Sequence, residues 1–111
     1  MVIKRVLCPQ RLRRVPRQFS WIDQRLVRKG HIGRCSPEAL ALYLLLVTVA
    51  DAEGLSYYSD PTAGRLLNLP AESLARARKE LCANGLIAYR RPLYQVLSLD
   101  DSPADFTGAH R

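Results

Sequence analysis

Glu72, Ser73, Arg76 and Lys79 are the residues whose types and spacing best suit recognition chemistry in this chain of 111 residues. On a helix turning about 100° per residue, with Leu74 pointing inward, Glu72, Arg76, Lys79 and Ala83 share the outward face and Ser73 lies on its flank. Arg76 offers a planar fork that matches the paired acceptors of guanine, and Glu72 an acceptor for the cytosine amine. Ser73 suits either base, and Lys79 brings a point charge to a phosphate. The same residues also make an ordinary solvated face, in which Glu72 and Arg76 form an i,i+4 ion pair worth about 0.3 to 0.5 kcal/mol.

Two further groups of cations extend that chemistry. Arg90 and Arg91 fall at the tip of a short hairpin, where cations can lie along a phosphate backbone and displace counterions, or can guard a strand edge against pairing. Lys4, Arg5, Arg11, Arg13, Arg14 and Arg17 stud an arm with no helical or strand period, suited to entering a minor groove or tracking phosphates and expected to order on binding. Arg65, with Tyr57 or Tyr58, adds candidate phosphate contacts. Catalysis has little to stand on: there are two histidines, and no zinc-protease, phosphate-loop or nucleophile-elbow motif. Asp51, Glu53 and Asp60 fall at helix boundaries, where capping accounts for them. No enzyme activity and no cofactor are expected.

The elements that must position these groups can be read from cap and turn residues. Ser20 with Asp23 resembles a capping box opening a helix from about Trp21 to Arg28, with Trp21, Ile22, Leu26 and the stem of Arg25 as its buried stripe and Gly30 as its stop. Ser36-Pro37-Glu38 combines a capping hydroxyl, a proline suited to the first turn and a carboxylate at the positive helix end. The helix it opens runs to about Glu53 and closes at Gly54; its apolar residues cover every side, so other elements or a second subunit must surround it. Leu55 to Tyr58 favours a short strand. Asp60-Pro61 repeats the cap-then-proline start of a helix to about Leu67, and Pro70 opens the next, whose core stripe is Leu74, Ala77, Leu81 and Cys82 and whose stop is Asn84-Gly85. Strands Leu86 to Tyr89 and Leu93 to Leu99 flank Arg90-Arg91-Pro92.

Charge is unevenly placed. Residues 1–35 carry ten Lys and Arg against one acid, residues 36–99 six against six, and the remainder is acidic, giving the net +7. The division expected is a basic arm at residues 1–19, one domain at 20–99 and a disordered acidic tail at 100–111. Such a domain buries only about 60 to 65% of its unfolded surface, so dimerisation is expected to add stability. Cys8, Cys35 and Cys82, odd in number and widely spaced, suit a reducing cytosol, and a cytoplasmic protein is expected. Cys8, His31 and Cys35 lack the fourth ligand and the paired knuckle of a structural zinc site. The apolar run Leu40 to Ala50 is too short to span a bilayer, which takes about 20 residues, and no secretory segment of adequate length precedes Pro9. No membrane contact is expected.

Gly64, Asn68 and Leu74 supply a small residue where helices touch, a turn residue tolerant of positive φ and an apolar anchor. With the two helices and the hairpin they give the fold expected: mainly α with a small β-hairpin, a winged helix-turn-helix with an extra N-terminal helix and an extended basic arm. The segments SPEALALYLLLVTVADAEGLSYYSD, LPAESLARARKELCANGLIAY and YQVLSL resemble bacterial winged helix-turn-helix proteins of replication-initiator and regulator type. The block PRQFSWIDQRLVRKG is similar to small helix-turn-helix proteins encoded beside transposons and plasmids. That resemblance implies double-stranded DNA as partner, a homodimer, and a protein partner from the same element. Asn68 replaces the turn glycine common in such proteins, and Pro70 stands where a Ser or Thr often caps the reading helix. A protein-interaction module that keeps the fold is the alternative, and RNA a third, although no aromatic stacking surface is evident.

Overall fold

Side chains that accept backbone N–H groups set several of the element boundaries in the computed structural model, which describes residues 3–99. Within them are α1 (Arg25–Arg28), α2 (Pro37–Val49), β1 (Leu55–Tyr57), α3 (Asp60–Leu67), α4 (Ala71–Ala83), β2 (Ile87–Arg90) and β3 (Leu93–Val96), with single 3-10 turns at Pro9–Arg11 and Ile32–Arg34. The described residues thus form four α-helices with a small antiparallel sheet of order β1-β3-β2. Ser56 stands opposite Tyr94 in one ladder, and Tyr89 opposite the same Tyr94 in the other. The acidic tail expected at 100–111 lies outside the described residues.

The core is built on α2 and α4, which pack on one another while α3 and β3 close over α2. Leu42, Leu46, Leu74, Leu81, Leu86 and Tyr94 are its largest fully buried side chains. The elements of one chain do not surround α2 on every side: Leu44 is exposed, and Leu40 and Leu45 are half-buried. Its start is as read, with the Ser36 hydroxyl accepting from the Ala39 amide at 3.1 Å. It ends earlier than expected, at Val49, because Asp51 draws the chain into a turn by accepting the Glu53 and Leu55 amides at 2.9 Å. Gly54 belongs to that turn and not to a helix cap. Its φ is +84°, and a Cβ there would lie 2.7 Å from the Val96 carbonyl oxygen, so the glycine lets the turn meet β3.

The N-terminal helix is also shorter than expected. Asp23 accepts the Arg25 amide at 2.8 Å and the Arg25 guanidinium at 2.7 Å, so the helix begins at Arg25. Ser20 makes no capping box; its hydroxyl donates to the Thr48 carbonyl at 2.7 Å and ties the segment to the end of α2. Trp21 and Ile22 therefore lie outside the helical period and are exposed, leaving Leu26 as the buried residue of α1. The hairpin is shorter as well: Leu86 precedes β2, β3 stops at Val96, and the loop is Arg91 and Pro92, joined by a cis peptide bond.

Candidate nucleic-acid interface

Two residues, Asn68 and Gly64, decide how α4 is presented. Asn68 takes φ 57° and ψ 46°, the left-handed conformation that Asn tolerates better than other side chains, and so ends α3 sharply. A Cβ on Gly64 would stand 2.9 Å from the Leu69 carbonyl oxygen, so the close approach of turn to helix requires the glycine. Pro70 then serves as the residue before α4 without a side-chain cap, its carbonyl accepting the Leu74 amide. At the far end Gly85 takes φ +73° while the Leu86 amide reaches back to the Leu81 carbonyl, the closing bond of a Schellman cap.

α4 turns Leu74, Ala77 and Leu81 into the core and leaves Glu72, Arg76, Lys79 and Ala83 exposed, with Ser73 half-buried on the flank. Cys82, expected on the core stripe, is exposed: it stands about 80° around the axis from Leu74, beyond the buried sector. The i,i+4 pair between Glu72 and Arg76 is not formed. Arg76 instead donates to the Ser73 hydroxyl at 3.3 Å. The outward face therefore holds two cations and one carboxylate, all accessible.

Arg78 is the residue that sequence reasoning missed. It sits about 40° from Leu74, inside the core-facing sector, where a charge needs partners. Its guanidinium donates to both Asp60 oxygens at 2.9 and 3.3 Å and to the Tyr94 hydroxyl at 2.9 Å, and stacks 4.4 Å above the Tyr89 ring. Burial alone would lower its pKa, but its hydrogen bonds to Asp60 and Tyr94 more than offset that and hold it further above the ordinary value. Asp60 is free for this because it is not the cap of α3. That role falls to Ser59, whose hydroxyl accepts the Thr62 amide at 3.3 Å. Burial pushes the Tyr94 phenol up, against the opposing pull of Arg78.

This cluster joins α3, α4, β2 and β3 behind the exposed residues. At the hairpin, Arg90 and Arg91 are exposed, and the Pro92 carbonyl accepts the Tyr58 amide at 3.2 Å, which seats the loop against the β1–α3 link. Neither arginine bonds to the outward residues of α4; the two surfaces are related through Arg78. Arg65 is exposed on α3, and Tyr57 is exposed whereas Tyr58 packs against the core. Lys4, Arg5, Arg11, Arg13, Arg14 and Arg17 are all exposed along the arm, which forms no helix or strand beyond its one 3-10 turn. On its other side α4 fastens α2: Glu80 accepts the Ser36 amide, and the Asn84 amide donates to the Cys35 thiol at 3.5 Å.

Among the described residues no group of three or more His, Cys, Asp or Glu could hold a metal ion, and no helix is long and apolar enough to cross a membrane. Comparison of the chain with protein-family models, curated proteins and solved structures returned no match. The interface is therefore argued from geometry and charge alone.

Proposed function

We propose that this chain is a winged helix-turn-helix protein that binds double-stranded DNA sequence-specifically, acting in bacterial transcriptional regulation or as an accessory factor of a mobile element or replicon. The observation that carries the reading is α4, whose exposed Arg76 and Lys79 stand on a helix held by Gly64, Asn68 and Leu74. In this reading Arg76 reads a guanine edge, Ser73 steadies its guanidinium, Lys79 meets a phosphate, and Glu72 discriminates against bases that offer no donor. Arg90 and Arg91 follow the backbone beside the groove. The arm adds sequence-independent attraction through counterion release.

Titration of a selected duplex with salt tests the reading. With about six phosphates neutralised, log affinity falls against log salt with a slope near −5. Replacing Arg76 and Lys79 by Ala lowers duplex affinity, and Arg76→Ala relaxes preference at one position. A flat salt response, or unchanged binding by the double variant, overturns it. The second reading, a protein-interaction module, is favoured by the neutral balance of residues 36–99 and by Glu72 on the outward face; it predicts that unchanged binding.

A further inference from the structure

We propose that a second copy of this chain docks its N-terminal arm, residues 3–18, into a groove beside α2, so that two molecules exchange arms. The groove has a volume of about 750 Å³. Tyr43 and Val47 of α2, with Leu97 and Leu99 beyond β3, give it an apolar floor, and the exposed Asp51 and Glu53 an acidic rim; Phe19 and Trp21 also line it.

Three observations select the arm of another copy as occupant. First, the arm carries Ile3, Val6, Leu7, Leu12 and Val15 at 57 to 97% exposure. A segment that served only solvation or phosphate contact has no need of five large apolar side chains, and they gain most by finding an apolar floor. Second, the molecule's own arm does not fill its own groove: every residue from 3 to 18 is exposed, and the lining begins only at Phe19. Third, the charges match. The arm holds six cations and no acid, whereas the rim is acidic, and the one cation lining the groove, Arg25, is paired with Asp23.

The backbone of the arm suits such a fit. Leu12 has φ −61° and ψ 133°, polyproline-II values, and that helix repeats every three residues. Carried from Leu12 to Pro16, ahead of the bend at Arg17, that period would set Leu12 and Val15 on one edge and Arg14 on the next. An apolar edge can then face the floor while the cationic edge meets the rim.

The test contains no nucleic acid, so its failure is distinguishable from that of the DNA reading, which draws on the same arm cations. Sedimentation equilibrium of the full chain is expected to show a dimer. Leu12→Asp with Val15→Asp, and separately Glu53→Arg, should each raise the dimer dissociation constant, the arm pair by at least about 100-fold. These positions are exposed, so at concentrations low enough that the wild-type chain is itself monomeric the unfolding temperature of each variant should match it. Mixed together, the arm variant has an intact groove and the rim variant an intact arm; a heterodimer should form at concentrations where neither associates with itself. A wild-type chain that is monomeric at about 100 µM, an arm variant that dimerises as the wild type does, or a mixture that stays monomeric overturns the proposal. The last two results would assign the groove to residues of the same chain or to another partner.

Discussion

Replacing Arg78 by Met is the sharpest test of how the outward face of α4 is tied to the hairpin. Methionine keeps an unbranched apolar stem of similar reach and removes only the guanidinium. Three interactions are lost. The Tyr94 hydroxyl, in a side chain with no exposed surface, loses its donor, at about 1 to 3 kcal/mol for an orphaned buried group. The stack over Tyr89 contributes about 0.5 to 2 kcal/mol. The Asp60 carboxylate is 44% exposed, so solvent screening limits that pair to about 1 kcal/mol or less. Allowing for overlap among groups that share one guanidinium, the substitution should cost about 2 to 4 kcal/mol. In urea the midpoint falls while the slope stays constant, because the surface exposed on unfolding is unchanged. Tyr94→Phe alone should cost about 0.5 to 1.5 kcal/mol, and the double variant should be more stable than the sum of the two single losses implies, by about 1 kcal/mol or more, because no hydroxyl is then orphaned. A cost for Arg78→Met below about 0.5 kcal/mol, or strict additivity in the cycle, would refute the view that this guanidinium joins the helices to the sheet.

Three further outcomes follow from the local geometry. Asn68→Val should lower stability by about 1 to 2 kcal/mol, since a β-branched side chain resists the left-handed backbone, whereas Asn68→Gly should change thermal unfolding little. Gly64→Ala places a methyl 2.9 Å from the Leu69 carbonyl oxygen, so α3 and the turn must move apart, at about 1 to 3 kcal/mol in denaturant unfolding. Asp23 is held below the usual carboxylate range chiefly by its hydrogen bond from the Arg25 side chain, then by the Arg25 amide. A lowered folded value means that its contribution is complete above the ordinary carboxylate pKa, near 4, and is lost as pH falls through the lowered value. Carboxyl NMR should show Asp23 titrating below 3.8 in the native chain, and moving up in Arg25→Ala.

What could be read from the sequence was what the backbone decides within a few residues. Gly64, Asn68 and Leu74 act through φ, close approach and burial at their own positions, and each behaves in the structure as its type implies. The same holds for the Ser36 cap and the Gly85 stop. Misreadings arose where two local signals competed. Ser20 and Asp23 both resemble caps, yet the charged carboxylate two residues before an amide is the stronger acceptor, so the helix starts late and Trp21 and Ile22 lose their inward register. Ser59 and Asp60 compete in the same way ahead of Pro61, and the hydroxyl takes the cap. Asp51 and Gly54 fit a helix end equally well as a turn until the proximity of Val96 is known.

The candidate site divides along the same line. Exposure of Glu72, Arg76 and Lys79 follows from helical phase once Leu74 is fixed inward, and the structure has them there. Arg78 obeys the phase rule too, but the rule alone marks it as a misplaced charge, because the partners that make its burial tolerable are 18 and 16 residues distant in sequence. A guanidinium in the core-facing sector is itself a signal: it demands a carboxylate and further acceptors nearby, and Asp60 and the tyrosines of the hairpin supply them here. A charge at an inward phase thus predicts a tertiary bracket, and here the bracket falls between the helix that offers Arg76 and the strands that lead to Arg90 and Arg91. The relative position of those two sets of cations therefore rests on Arg78, a residue that need not touch any ligand itself.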